Sequence, residues 1–223
     1  LLRRARVTAR SSELGPVPDE APHEAWLRTR FGLEGSVAAC ALPADEAGAI
    51  GLLARPVHLR LALDHALLAA PASMALDADE AQALAGQANT VLADEGLRLV
   101  VARPDAWRLE AAAPGAATAD LAALAALRTR SARLAWGRDV DAFQPSGAAA
   151  RRWRQLDTLV QMAWFEHPVN TAREATGRPI ANALWLEGVA GRTARQPFAS
   201  VAATEACIVG LARRAGAEVG PAG

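Results

Sequence analysis

The stretch from Ala148 to Glu166 leaves this chain the fewest choices. Trp153, Leu156, Val160, Ala163 and Trp164 recur there at three- and four-residue spacing, which sets them on one face of a helix. A stripe that carries two tryptophans has to be buried against a second layer of structure. The helix must also stop at His167–Pro168, because proline cannot continue it and pushes the preceding residue toward extended geometry. Any fold open to this chain contains a long amphipathic helix followed by a sharp turn.

The rest of the chain supplies candidates for the second layer. Pro22 to Phe31 predicts a short helix ending at Gly32, and Ser36–Leu42 a buried strand. From Val57 to Leu63, Val57, Leu59, Leu61 and Leu63 alternate with His58 and Arg60, a period of two that predicts a strand with one wet face. Ala78 to Glu95 predicts a helix with Asp77 as N-cap, acids in its first turn and Gly96 just past its end. Leu97–Ala102 and Trp107–Ala111 read as a hairpin around Arg103–Pro104–Asp105. Leu121–Leu134 predicts a helix after a loop at Ala112–Ala119. Beyond Pro168, Thr171 to Glu174 has the form of a capping box with Gly177 as its stop, and Ile180–Leu186 reads as a strand. Ser200 to Ala215 predicts an amphipathic helix, and Ala217–Val219 a short strand. Helices and strands mixed by short connections imply an α/β or α+β fold, with a mixed sheet flanked by helices. Residues 1–20, punctuated by Ser11, Ser12, Gly15, Pro16 and Pro18, read as irregular. Residues 21–223 read as one mixed domain, with a subdivision near 112–147 left open.

Composition narrows the chemistry. In 223 residues, 24 basic side chains balance 24 acidic ones. Polyanion binders are usually strongly basic, so nucleic acid is not an expected partner. Charged residues interrupt every apolar run short of the ~20 residues a membrane span needs. Every basic residue is arginine, and there is no lysine or tyrosine. That excludes Schiff-base chemistry, a P-loop lysine and a tyrosine acid or base. Cys40 and Cys207 stand far apart, outside any CxxC pattern, and fit two buried thiols in a reducing, cytoplasmic setting. Leu1–Arg10 is basic but lacks the apolar core of a signal peptide. With no initial Met, the start points to an incomplete N-terminus.

Few residues suggest a site. His58, Asp64 and His65 could meet only if their strand ends before Asp64, since an odd spacing puts the histidines on opposite faces. Arg151, Arg152 and Arg154 form a basic helix start, read as a solvated end or a phosphate clamp. Gly188-Val189-Ala190-Gly191-Arg192 reads as a turn, or as a loop whose amides could hold an anion. No GxSxG, GxxxxGK[ST] or HExxH occurs. His167, fixed at a helix terminus before Pro168, Asn170 and Arg173, is either a hydrogen-bonding or general-acid residue or a cap on the preceding helix.

The block Gln161-Met162 … His167-Pro168-Val169-Asn170 … Arg173-Glu174 … Gly177 … Pro179 … Asn182 … Trp185-Leu186 … Gly188 resembles a family of bacterial proteins described either as phosphoglycerate mutase or as the E protein of a pathogenicity-regulating gene cluster (RpfE). Pro56-Val57-His58 … Asp64-His65 and Trp136 to Asp141 also look like that family. The same block is similar to a segment of archaeal-type cofactor-independent phosphoglycerate mutases, in which it closes an inserted subdomain. That resemblance implies a partial alkaline-phosphatase-like fold and an ancestry in metal-dependent phosphoryl transfer. It differs at Glu187, where the archaeal type has arginine before the glycine. The family's nucleophile and metal ligands would lie near or before residue 1 and beyond Gly216, and no matching set is found. The expectation is a phosphoglycerate-mutase-like protein without the metal-dependent catalytic set, with a regulatory or small-anion-binding role. The alternative is an active mutase or related phosphotransferase, using divalent metal, whose N-terminal catalytic residues are missing from this chain. The expected ligand is a small phosphorylated or anionic metabolite. The expected site is His167, Asn170, Arg173 and Asn182, with no resident cofactor.

Overall fold

The computed structural model describes residues 18–44, 51–113 and 119–220. The expectations for residues 1–17 and for the loop at 114–118 lie outside the described residues. In chain order, the first half holds α1 (Pro22–Phe31), β1 (Leu33–Gly35), β2 (Leu52–Val57), β3 (Leu59–Leu61), β4 (Ala66–Leu68), α2 (Pro71–Met74) and α3 (Ala78–Leu92). A hairpin of β5 (Leu97–Arg103) and β6 (Ala106–Ala111) follows, then the short helices α4 (Ala119–Ala125) and α5 (Ala132–Ala135). The last part is α6 (Ala150–Trp164), α7 (Pro168–Ala175), β7 (Ala183–Thr193), β8 (Ser200–Ala202), α8 (Ala206–Arg214) and β9 (Glu218–Gly220).

A sheet flanked by helices is the architecture that results. Its five strands run in the order β1-β7-β2-β6-β5, and every neighbouring pair is antiparallel. One face is covered by α3 and α6, which meet it through Ala81, Leu84, Ala88 and Leu92 on one helix and Trp153, Leu156, Val160 and Trp164 on the other. These are the stripes that the three- and four-residue spacing requires. At their centre Trp164 stands edge-on to Trp107 of β6, with ring centroids 5.8 Å apart, a favoured aromatic geometry. Both indole N–H groups donate to backbone carbonyls, Trp164 to Leu84 and Trp107 to Pro104. The capping box of α3 forms as its sequence demands, with Asp77 accepting from the Glu80 amide at 2.8 Å and Glu80 accepting from the Asp77 amide at 3.2 Å.

The other face carries two smaller clusters. Val57, Leu68, Ala135, Phe143 and Trp185 make one; Ala38, Ala39, Leu42, Leu53 and Ala106 make the other. Because β2 is buried on both faces, its sequence LLARPV shows no alternation, and the strand begins well before Val57. The expected strand over Val57–Leu63 is broken at His58. Its apolar positions Leu61 and Leu63 are 82% and 106% exposed, on the small β3–β4 hairpin.

Other local expectations shift for identifiable reasons. Ser36–Leu42 is buried but forms a 3-10 turn over Ala38–Ala41, held beneath α8. Gly210 of α8 approaches so closely that a Cβ there would lie 1.8 Å from the Cys40 carbonyl oxygen. The helix over Leu121–Leu134 is split into α4 and α5, because Arg128 leaves the helical path to bridge Ser146 through the backbone. In the tail, Ser200–Ala202 is a strand that pairs in parallel with β9, and the helix begins only at Ala206. The helix after Pro168 starts at that proline, so Thr171 lies inside α7 and caps nothing.

Asp157 of α6 joins helix to sheet. Its carboxylate accepts from the Leu184 amide at 2.8 Å and from Gln161 Nε2 at 2.7 Å. Burial outweighs these bonds and pushes its pKa up to about 6. A carboxyl whose folded pKa is raised binds its proton more tightly in the native state, so its contribution to stability is present below about pH 4 and is lost as pH rises through about 6. Asp157→Asn keeps the size and, with the Gln161 amide turned over, both hydrogen bonds. It is expected to stabilise the protein by about 2 kcal/mol at pH 7 and by much less at pH 4.5. Urea unfolding of both proteins at the two pH values checks this, and a pH-independent difference would refute it.

Candidate functional site

The residues of the His167–Gly188 block come together, but around backbone. Between α7 and β7 the chain runs irregularly from Arg178 to Asn182, and its polar groups are met by side chains one after another. Arg173 donates from Nε to the Pro179 carbonyl at 2.7 Å. The His58 ring meets the Ile180 carbonyl at 3.0 Å. Asn170 donates to the Ala181 and Trp164 carbonyls and accepts from the Ala181 amide, all within 2.9 Å. Asn182 accepts from the Leu59 amide and donates to the Leu59 carbonyl, at 2.7 and 2.9 Å. Buried irregular backbone needs such partners, and asparagine supplies a donor and an acceptor together.

His167 is the N-cap of α7. Its Nδ1 accepts from the Val169 amide at 3.2 Å, and burial lowers its pKa, which favours the neutral, accepting ring. This corrects the reading of His167 as a cap on the C-terminal end of the preceding helix. The extended geometry that Pro168 imposes turns the ring onto the next helix.

Arg173 is completely buried. Besides Pro179 it bonds Glu80 from Nη1 at 2.6 Å and the Met74 carbonyl from Nη2. Arg173→Ala would leave Glu80 without its buried partner and two carbonyls without a donor. A loss of about 3–5 kcal/mol in unfolding free energy is expected, measurable by denaturant titration; a neutral result would mean that the staple is dispensable.

The other candidates disperse. His65 pairs with Asp64 at 2.6 Å on the exposed hairpin tip, away from the Ile180 contact of His58. Arg152 is bound by Glu95 and Asp120, each at 2.6 Å. Gly188–Arg192 is neither a turn nor an anion loop but part of β7. Glycine is needed there because a Cβ at Gly191 would lie 1.7 Å from the Glu34 carbonyl oxygen on β1. Among the described residues no three His, Cys, Asp or Glu side chains gather to hold a metal ion. They do not fit a two-ion phosphoryl-transfer centre.

A cleft on the other side of β2 gathers functional groups that local patterns hide. It consists of two adjoining cavities of about 360 and 250 Å³, both lined by Arg55, Arg103, Asp105, Ala132 and Trp136. Arg55 projects from β2, Arg103 ends β5, and Asp105 lies in the tight turn before β6. Arg55 donates from Nε to Glu187 and from Nη1 to the Asp105 carbonyl at 2.7 Å, with the Asp105 carboxylate at 3.4 Å. Arg103 donates from Nε to that same carboxylate at 3.2 Å. Burial works against the charge on Arg55, but Glu187 and then Asp105 more than offset it and raise its pKa. Two arginines from different strands meet at one carboxylate, and Arg55 Nη2 and both terminal nitrogens of Arg103 have no partner among the described residues.

Glu187 is the counter-ion this arrangement needs. It is buried, accepts from Arg55 on one oxygen and takes the Ala132 amide on the other at 2.7 Å. The register of β7 against β2 slips between the Leu186 and Val189 pairings, and this bulge aims Glu187 at Arg55. A third, more open cavity of about 410 Å³ beside Gly188 also holds Arg28 and Arg128. Those guanidinium groups are already taken by Glu20 and Asp19, each at 2.7 Å. None of the three cavities is lined by His167, Asn170, Arg173 or Asn182.

No protein-family model matches the sequence, and neither does any curated protein. Among solved structures, the PH0037 protein of Pyrococcus horikoshii is similar over 92% of this chain and 49% of its own, at 16% identity and a TM-score of 0.48. A cofactor-independent phosphoglycerate mutase from Thermoplasma acidophilum is similar over 82% of this chain and 49% of its own, at 12% identity and a TM-score of 0.44. The chain spans about half the length of these structures.

Proposed function

We propose that this chain is a phosphoglycerate-mutase-like domain that holds a small anionic metabolite between Arg55 and Arg103 and serves a regulatory role. One observation carries the reading: two guanidinium groups converge on a single carboxylate, Asp105, and retain donors around it that have no partner among the described residues. A ligand carboxylate or phosphate presents more acceptor atoms than Asp105 alone and can engage those donors in charge-assisted bonds. The His167–Gly188 block supports the phosphoglycerate-mutase-like and RpfE-type part of the proposal, together with an alkaline-phosphatase-like ancestry.

In this reading Arg173 holds the Met74 carbonyl at the wall of the cleft, while His167, Asn170 and Asn182 bond the backbone and do not touch the ligand. The described residues gather no ion-holding set, so the reading assigns them no catalytic step. Among the described residues no helix is long and apolar enough to cross a membrane. A reducing, cytoplasmic setting belongs to the proposal, supported by the free buried thiols of Cys40 and Cys207.

Calorimetric titration with 3-phosphoglycerate tests the site. The wild-type chain is expected to bind it. Arg103→Ala, at a half-exposed side chain, is expected to leave the fold intact and weaken binding at least tenfold. Unchanged affinity in that variant would place the anion elsewhere, and mutase turnover of the wild-type chain with added Mn²⁺ would replace the binding role with the enzymatic one.

A further inference from the structure

The larger of the two cavities is mismatched to a small, fully polar metabolite. Its volume of about 360 Å³ is that of roughly a dozen liquid waters at ~30 Å³ each, and it falls in the range that accepts drug-sized ligands. Its walls are Pro56, Val57, Ala69, Met74, Leu76 and Trp136, which offer little to hold water. Its charged side chains are Arg55, Arg103 and Asp105, the three that it shares with the second cavity. Charge is therefore confined to one region and apolar surface fills the remainder.

The wall formed by Met74, Ala75 and Leu76 is built under constraint. Ala75 has φ of +36°, the one positive value at a non-glycine residue among those described, and such strained positions cluster at ligand clamps. The conformation is held from behind, where Arg173 donates to the Met74 carbonyl and Glu80 of α3 fixes Arg173.

We infer that the natural ligand is an amphiphilic anion, whose carboxylate or phosphate head lies between Arg55 and Arg103 and whose apolar body fills the chamber along Pro56, Val57, Ala69 and Leu76. This rests on the anion site proposed above and extends it to the rest of the molecule bound there. The head takes the free guanidinium donors beside Asp105. The body displaces water that the apolar walls hold poorly, which favours binding. Asp105 stands between the arginines when no ligand is present and competes with the head for them.

Calorimetric titration of the full chain with octanoate, acetate, octylammonium, octyl phosphate and 3-phosphoglycerate tests the inference. Octanoate or octyl phosphate should bind at least tenfold more tightly than acetate and octylammonium, and the tighter of the two identifies the head group. Arg103→Ala should weaken the eight-carbon anions at least tenfold. Asp105→Asn should strengthen them. Ala69→Phe, which fills the chamber, should weaken the eight-carbon anions at least tenfold and leave 3-phosphoglycerate unchanged. Binding of octanoate no tighter than acetate, or of octylammonium as tight as octanoate, would overturn the inference. If 3-phosphoglycerate binds and the eight-carbon anions do not, this inference alone fails; if no anion binds, the anion site fails with it.

Discussion

A single buried cation, Arg173, ties together three separate parts of the chain. It reaches the capping glutamate of α3, the last residue of α2 and the irregular segment that leads into β7. A charge removed from water is tolerable only when paired and fully hydrogen-bonded, so these three contacts are mutually dependent. Glu80 serves twice, as the reciprocal partner of Asp77 in the α3 cap and as the counter-ion of Arg173. The start of α3, the backbone approach to β7 and one wall of the cleft are consequently joined through this ionic contact.

The cleft repeats this logic with a different outcome. Arg55 is also an arginine set in an apolar strand, neutralised by a buried glutamate on the neighbouring strand. Where Arg173 has a protein partner for each of its nitrogens, Arg55 does not, and Arg103 beside it is still less occupied. A protein partner on every nitrogen marks Arg173 as structural. Incomplete satisfaction, next to a cavity with apolar walls, marks Arg55 and Arg103 as groups that can still bind something. Which guanidinium nitrogens are engaged thus separates two arginines that look alike in a sequence and make the same number of bonds.

Much of the helical framework was legible without coordinates. The stripe on α6, the stop of α1, the cap and stop of α3 and the hairpin of β5 and β6 rest on contacts within a few residues. The fully buried strand β2 was hidden because burial on both faces erases the period of two. The turn at Ala38–Ala41 was hidden because its conformation answers to the close packing of Gly210, far along the chain. The His167–Gly188 block stood out through its resemblance to a known family. Its residue types suit backbone satisfaction as well as ligand contact, and only their partners tell the two apart.

The sequence by itself determined where the long helix runs, where proline ends it, which faces must be covered and which chemistries are closed to a chain without lysine or tyrosine. These follow from periodicity, from proline geometry and from the functional groups present. Only the tertiary structure decided that Arg55, Asp105 and Glu187 meet, because they come from three places in the chain joined by strand order and by a bulge in β7. Ion pairing is a matter of distance, and distance between remote residues is fixed by packing, which no local pattern records.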